Sequence, residues 1–271
     1  MDALQLPLLE NYRSNQDIVD YALSLGYPPK LKSAKPNLRL HEFKPRAAAL
    51  AALPAGLPKS AAWEVLLDPT KPVCTLIHED ETASQANVQE AKMVAALVWG
   101  IRQSMALGLD PVPSGYKHEE PHDIDLFESL VGIVTPHKAQ RALVLSELRK
   151  LFPNVAAEVM AEAVDTVEKF QGGQRQTIIV SFGVGDVDII QGEEFFLLQL
   201  ERINVAVSRA EAKSIVLMPK SLAYHLPSER RTLKTAKAIK SYLETFCNQR
   251  QNFGITLADG TVRPAEVRWH R

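Results

Sequence analysis

Val131-Gly-Ile-Val-Thr135, running straight into Pro136-His137-Lys138-Ala139-Gln140-Arg141, changes hydrophobic period within a few residues. The apolar run suits a strand buried on both faces. Pro136 suits the first turn of a helix, where its missing N–H forfeits no bond. Beyond it, Val144, Leu148 and Leu151 recur on one helical face. A buried strand that turns directly into a helix is the repeating unit of a parallel α/β sheet.

The same unit recurs on either side. Val73 to Ile77 is a second short apolar run, and Val88, Ala91, Ala95 and Val98 after it follow a helical period. Downstream, Ala163 to Val167, Thr177 to Val184 and Ser214 to Met218 read as strands, and 232–246 as a closing helix. The expected architecture is a doubly wound parallel sheet. Ligands in such sheets gather at the carboxyl ends of strands, so the loops after 131–134, 163–167 and 177–184 are the first places to look. Near the start, a loop leads into a helix with Ser14 and Asp17 as its capping pair. Gly26-Tyr27-Pro28-Pro29 ends that helix. Leu38 to Phe43 alternates like a short strand. Residues 44–71, rich in Ala, Pro and Lys, read as a loop with one helical turn; 107–125 as an exposed insertion; the acidic 186–195 as a loop. Ile255 to Val262 reads as a hairpin turning at Asp259-Gly260. That sets 249–271 apart from 1–248 as a tail or the start of a further domain.

Composition narrows the function. With 46% apolar and 23% charged residues among 271, the chain can build a sizeable core. A formal net charge of -1 excludes a uniformly basic binder but not a local basic patch. Cys74 and Cys247 sit in apolar stretches, which predicts buried free thiols, a reducing compartment and cytoplasmic location. The seven histidines show no metal-ligand spacing, so no metal site is expected. No apolar run is long enough for a membrane span, and a secretory leader is not expected.

Four short segments carry chemistry. Leu9-Glu-Asn-Tyr-Arg-Ser14 places Arg13, a planar and permanently charged fork suited to phosphate oxygens, beside a helix start. Val131 to Arg141 places Thr135, Pro136, Lys138 and Gln140 at a strand-to-helix turn, where they offer hydroxyl, ammonium and amide donors. Asp165-Thr-Val-Glu-Lys-Phe-Gln-Gly-Gly-Gln-Arg175 combines Thr166 and Val167 with Gly172, which allows close backbone approach, and Gln174. Glu201-Arg-Ile-Asn-Val-Ala-Val-Ser-Arg-Ala210 fits both a strand and a helix by period. Taken singly, each segment also fits a bland reading, with solvated arginines and a glycine-containing loop.

In this order and spacing, the four resemble motif IV, the "hGIhTPYxxQ" turn (with His137 in the aromatic place), motif V ("TVDxFQGxE") and motif VI ("RxNVAxTRA") of superfamily 1 helicases of the Upf1-like branch. The resemblance spans about three quarters of the chain and selects a helix for the last segment, with Arg202 and Arg209 on one face. It implies a RecA-like, P-loop NTPase-like three-layer α/β sandwich. Catalytic contacts to ATP would come from Arg209, the arginine finger, and Arg13. Gly172, Gln174 and Arg202 would bind nucleotide, and Thr135, Pro136, Lys138, Gln140, Thr166 and Val167 would hold single-stranded DNA or RNA. Gln174 stands where the family has an acid, so its contact to the ribose loses charge. No G-x-x-x-x-G-K-S/T is present, and Glu79-Asp80-Glu81 reads as a solvated loop. The P-loop and most of the ATP and Mg²⁺ binding are therefore expected from an N-terminal RecA-like lobe of the same full-length protein, motif IV lying almost at Met1. A nucleic-acid or protein docking module with a vestigial ATPase role is the alternative. A Rossmann enzyme lacks its glycine fingerprint, and a nuclease site at Asp186, Asp188, Glu193 and Glu194 would sit in one loop.

Overall fold

The computed structural model describes residues 9–25, 30–167, 169, 173–199, 204 and 208–271. Its strands in chain order are β1 (Glu10–Asn11), β2 (Lys32–Ser33), β3 (Arg39–Glu42), β4 (Val73–His78), β5 (Met105–Asp110), β6 (Val131–Thr135), β7 (Val164–Thr166), β8 (Arg175–Ser181), β9 (Ala210–Pro219), β10 (Gln249–Thr256) and β11 (Val262–Trp269). Seven form the main sheet in the order β10-β11-β4-β9-β8-β6-β7. The five from β4 to β7 are mutually parallel.

Alternation along these strands feeds two cores. Cys74, Leu76, Val131, Ile133, Ile179, Ile215 and Leu217 point to one face, under helices Val88–Ser104 and Lys138–Leu151. Val73, Ile77, Val134, Ile178, Val180, Val216 and Met218 point to the other, under helices Gln16–Ser24 and Arg230–Ser241. A sheet covered on both faces favours apolar side chains on both, which explains the short apolar runs in the sequence. The result is the helix–sheet–helix sandwich of a RecA-like domain. No described helix is long and apolar enough to cross a membrane. Cys74 and Cys247 are buried and unpaired by disulfide.

Several local expectations are corrected. Asn15, not Ser14, caps the first helix through its bond from the Ile18 N–H (3.0 Å), because the Ser14 hydroxyl donates instead to the Ala210 carbonyl at 2.6 Å. Residues 44–71 hold two helices, Arg46–Ala51 and Ala62–Leu66, the second anchored by buried Trp63. The supposed insertion begins as β5, which pairs antiparallel with β3. The hairpin of residues 249–271 is longer than its turn signal suggested. Ala265 to Trp269 of β11 pair antiparallel with β4, making the hairpin the edge of the main sheet.

The acidic 186–195 segment is mostly helical, with Asp186 capping Val187–Gly192. Glu194 is 4% exposed and accepts bonds from the Ser228 and Glu229 N–H groups and the Thr232 hydroxyl, with His225 at 3.1 Å. Burial by itself would raise its pKa; the bonds from His225, Ser228, Thr232 and Glu229 outweigh this and hold it down at about 2. A depressed carboxylate stabilises the fold above its ordinary pKa of 4.5 and loses that contribution as pH falls toward about 2. The stability gap between wild type and Glu194→Gln, read by denaturant melts, is therefore expected to narrow between roughly pH 5 and pH 2. A gap constant across that window contradicts the assignment.

Candidate functional site

The segment before the first helix is folded by one side chain. Asn11 Oδ1 accepts from the N–H groups of Arg13 (2.8 Å) and Ser14 (2.9 Å), an Asx turn that reverses the chain. The turn is fixed to the start of β9, since the Asn15 N–H donates to Glu211 O and its amide to Ala212 O. Arg13 is thereby aimed at the amino ends of β8 and β9. Its Nε donates to Gln174 Oε1 at 3.2 Å and its Nη1 to Ser208 O at 3.0 Å. Half-buried Arg209 follows Ser208 directly, and its carbonyl accepts from the Arg175 N–H at 3.2 Å. Motifs IV, V and VI thus meet at one point.

That point opens into a cleft of about 1030 Å³ lined by Arg13, Lys35, Gln174, Gln176, Ser208 and Glu211, among others. Its size is in the range of small-molecule sites. Two cations and an amide suit phosphate oxygens and hydroxyls. Glu211, also in the wall, is pushed up by burial against the opposing pull of Lys35, Arg13 and Arg175. The residues fit one side of a nucleotide site and supply no phosphate loop. Gly172 and Arg202, expected to touch nucleotide, lie outside the described residues. Asn204 of motif VI is helical and buried.

The nucleic-acid candidates lie elsewhere. Thr135 and Thr166 are register partners at the carboxyl ends of β6 and β7. Lys138 is exposed at the first turn of its helix, and Pro136 and Val167 are half-buried. Thr135 is fully buried and its hydroxyl donates to His137 O at 3.1 Å. Thr166 is buried as well. Gln140 departs furthest from expectation. It is 0% exposed; its Oε1 accepts from the Asn87 N–H (2.7 Å) and its Nε2 donates to Ser181 (2.9 Å). Its amide is bonded inside the protein at both its oxygen and its nitrogen. His137, in the aromatic place, stacks on Phe196 and lies 3.0 Å from Glu193.

Gln140 belongs to a buried polar network that sequence reasoning missed. Glu90, 0% exposed, accepts from the Ser181 hydroxyl (2.6 Å) and the Gly183 N–H (2.9 Å) and lies 2.7 Å from His78 Nε2. Gly183 has φ +67°, and a Cβ there would lie 2.6 Å from Gln140 Cδ, so only glycine fits. Asn87 caps the helix at the Glu90 N–H and donates to Asp80, which also accepts from Thr82 and Ala83. Asp80 is therefore a structural acceptor rather than a solvated acid. The available signal was Asn87-Val-Gln-Glu90, a cap residue with an acid three positions on.

The arginine cleft is not at the carboxyl ends of the strands, where ligands were expected. Gln174 and Arg209 immediately precede β8 and β9, so the cleft sits at their amino ends. From the register of β6 with β8, the Gln174 level lies roughly 23 Å along the strands from the Thr135–Thr166 level, at about 3.3 Å per residue. Residues 167–174 join the two ends.

A mainly parallel sheet clad in helices on both sides, with three helicase-like segments meeting at an arginine, defines a RecA-like domain of helicase type. A family profile described as an AAA domain (AAA_12) matches residues 3–221. The chain belongs to that family, as a lobe of superfamily 1, Upf1-like helicase type. It is 33% identical over 134 residues to the probable helicase senataxin of Mus musculus, covering 49% of this chain and 4% of that protein. It is 27% identical over 223 residues to the DNA replication ATP-dependent helicase/nuclease DNA2 of Xenopus tropicalis, covering 78% and 18%. It is 29% identical over 136 residues to an uncharacterized ATP-dependent helicase, MJ0104, of Methanocaldococcus jannaschii, covering 47% and 18%. The chain thus spans less than a fifth of the length of these relatives.

Proposed function

We propose that the chain is the C-terminal lobe of an ATP-dependent superfamily 1 helicase or translocase, supplying Arg13 and Arg209 to ATP and part of a single-strand track. The observation that carries this is the meeting of Arg13, Gln174 and Ser208 at one cleft. Bound ATP with Mg²⁺, held mainly by a P-loop lobe, would supply the phosphoryl group and the driving energy. Among the described residues, the Arg13 guanidinium donates to a neutral amide and a carbonyl. A charge-assisted bond to phosphate is roughly twice as strong as such bonds, so Arg13 would exchange them for phosphate oxygens. An acid at position 174 would hold Arg13 by an ion pair; Gln174 leaves the guanidinium easier to release. Arg209, one residue beyond Ser208, would neutralise charge that develops on the transferred group.

At the far end of the sheet, Lys138 and the N-terminus of its helix suit a backbone phosphate. Lys138→Ala is expected to weaken binding of single-stranded oligonucleotides evenly across sequences. The slope of log affinity against log salt should fall by about 0.7, as for one lost phosphate contact on a single strand. Fluorescence anisotropy at several salt concentrations reads both. An unchanged slope removes Lys138 from the track.

The docking-module reading keeps one point in its favour, the uncharged Gln174 in the acid's place. Nucleic-acid-stimulated ATP turnover by the protein carrying both lobes separates the two readings. Turnover that responds to Arg13→Ala and Arg209→Ala supports the helicase lobe; turnover indifferent to both supports docking.

A further inference from the structure

We propose that His41, Asp110 and His118 form a binding site for a divalent transition-metal ion of zinc type, which clamps the β3–β5 ribbon to the loop that follows it. Three separate chain segments bring the ligands together. Arg39 and Asp110 are register partners, but the pairing of β3 with β5 shifts between Leu40 and Glu42, and His41 sits in that irregularity. Such bulges re-aim a side chain. His41 Nδ1 lies 3.0 Å from Asp110 Oδ2. His118 arrives through the Leu107–Glu119 bridge, whose N–H of Leu107 donates to Glu119 O at 2.8 Å, and its Nε2 lies 2.9 Å from Asp110 Oδ1. The two imidazoles stack with centroids 3.6 Å apart and planes 8° from parallel, so both present nitrogen to the same carboxylate.

The geometry is close to what coordination needs. The three ligand atoms all lie within 4.8 Å of one another. Ligands at about 2.1 Å from a tetrahedral ion stand roughly 3.4 Å apart, so the spacing fits once the two rings rotate out of their stack to aim their in-plane lone pairs at one ion. Side-chain exposures of 37%, 45% and 16% for His41, Asp110 and His118 leave an open side for water ligands. Two imidazoles and one carboxylate favour Zn²⁺, Co²⁺ or Ni²⁺ and disfavour Mg²⁺, which prefers oxygen and keeps its waters. The sequence hid the site because its ligands stand far apart in the chain and show no motif spacing. Leu38, next to β3, and Leu109 and Pro111, beside Asp110, line the arginine cleft, so the clamp would fix two sides of that wall. Metal binding here does not require the helicase assignment.

The test uses the untagged 271-residue chain after chelator treatment, titrated calorimetrically with Zn²⁺ in millimolar Mg²⁺. One Zn²⁺ per chain is expected, with at least about a tenfold loss of affinity in each of His41→Ala, Asp110→Asn and His118→Ala. Should a variant fold poorly, Co²⁺ added to the wild-type chain gives an independent reading: a visible ligand-field band saturating at one equivalent supports the site. Absence of saturable Zn²⁺ binding and of that band overturns it, as does wild-type affinity in all three variants.

Discussion

Arg209→Ala, made in the protein that carries the P-loop lobe, is expected to lower nucleic-acid-stimulated ATP turnover by at least about two orders of magnitude. That fall corresponds to roughly 2.7 kcal/mol of transition-state stabilisation. Arg209 is half-buried at the foot of β9, beside the carbonyl that holds Arg13. In a closed cleft a cation there acts through a medium far less polarisable than water, so its removal is felt strongly. Arg209→Lys should recover only part of the rate, because an ammonium keeps the charge but not the planar fork. Steady-state turnover at saturating nucleic acid is the measurement. Near-normal turnover in the alanine variant would remove Arg209 from the chemistry.

The second large effect concerns stability. Glu90→Ala should destabilise the fold by about 3–5 kcal/mol, the usual consequence of deleting one partner from a buried charged or polar cluster. It would orphan the Ser181 hydroxyl, the Gly183 N–H and the His78 ring together. For a domain of this size the melting temperature should drop by roughly 6–20 °C. Glu90→Gln should lose much less, since its amide oxygen can still accept from Ser181 and Gly183 while its nitrogen faces His78. Calorimetric melts of the two variants decide the matter. A loss under about 1 kcal/mol in the alanine variant would show that the network stabilises little.

What could be read in the sequence, and what could not, divides along physical lines. Strands β4, β6, β8 and β9 were legible because burial on both faces favours short apolar runs. Helices Arg46–Ala51 and Ala62–Leu66 were not, being too short for a period to show. The cap at Asn15 was placed one residue early because Ser14, an equally good capping residue, spends its hydroxyl on a carbonyl nearly two hundred positions away. The hairpin turn was visible, but its docking on β4 depends on a pairing that no local pattern encodes. Arg13 and Gln174 were marked by resemblance to a family; their mutual bond was not. Gln140 was placed toward nucleic acid by resemblance to the family's turn, and its burial between Asn87 and Ser181 rests on contacts that no local pattern encodes.

The short connection 167–174 has a thermodynamic corollary. It is one continuous covalent tether with Thr166 at one extremity and Gln174 at the other. If occupancy of either extremity favours one arrangement of the tether, the two occupancies cannot be independent. Whatever factor a bound polymer adds to nucleotide affinity, a bound nucleotide must return to the polymer, as linkage demands.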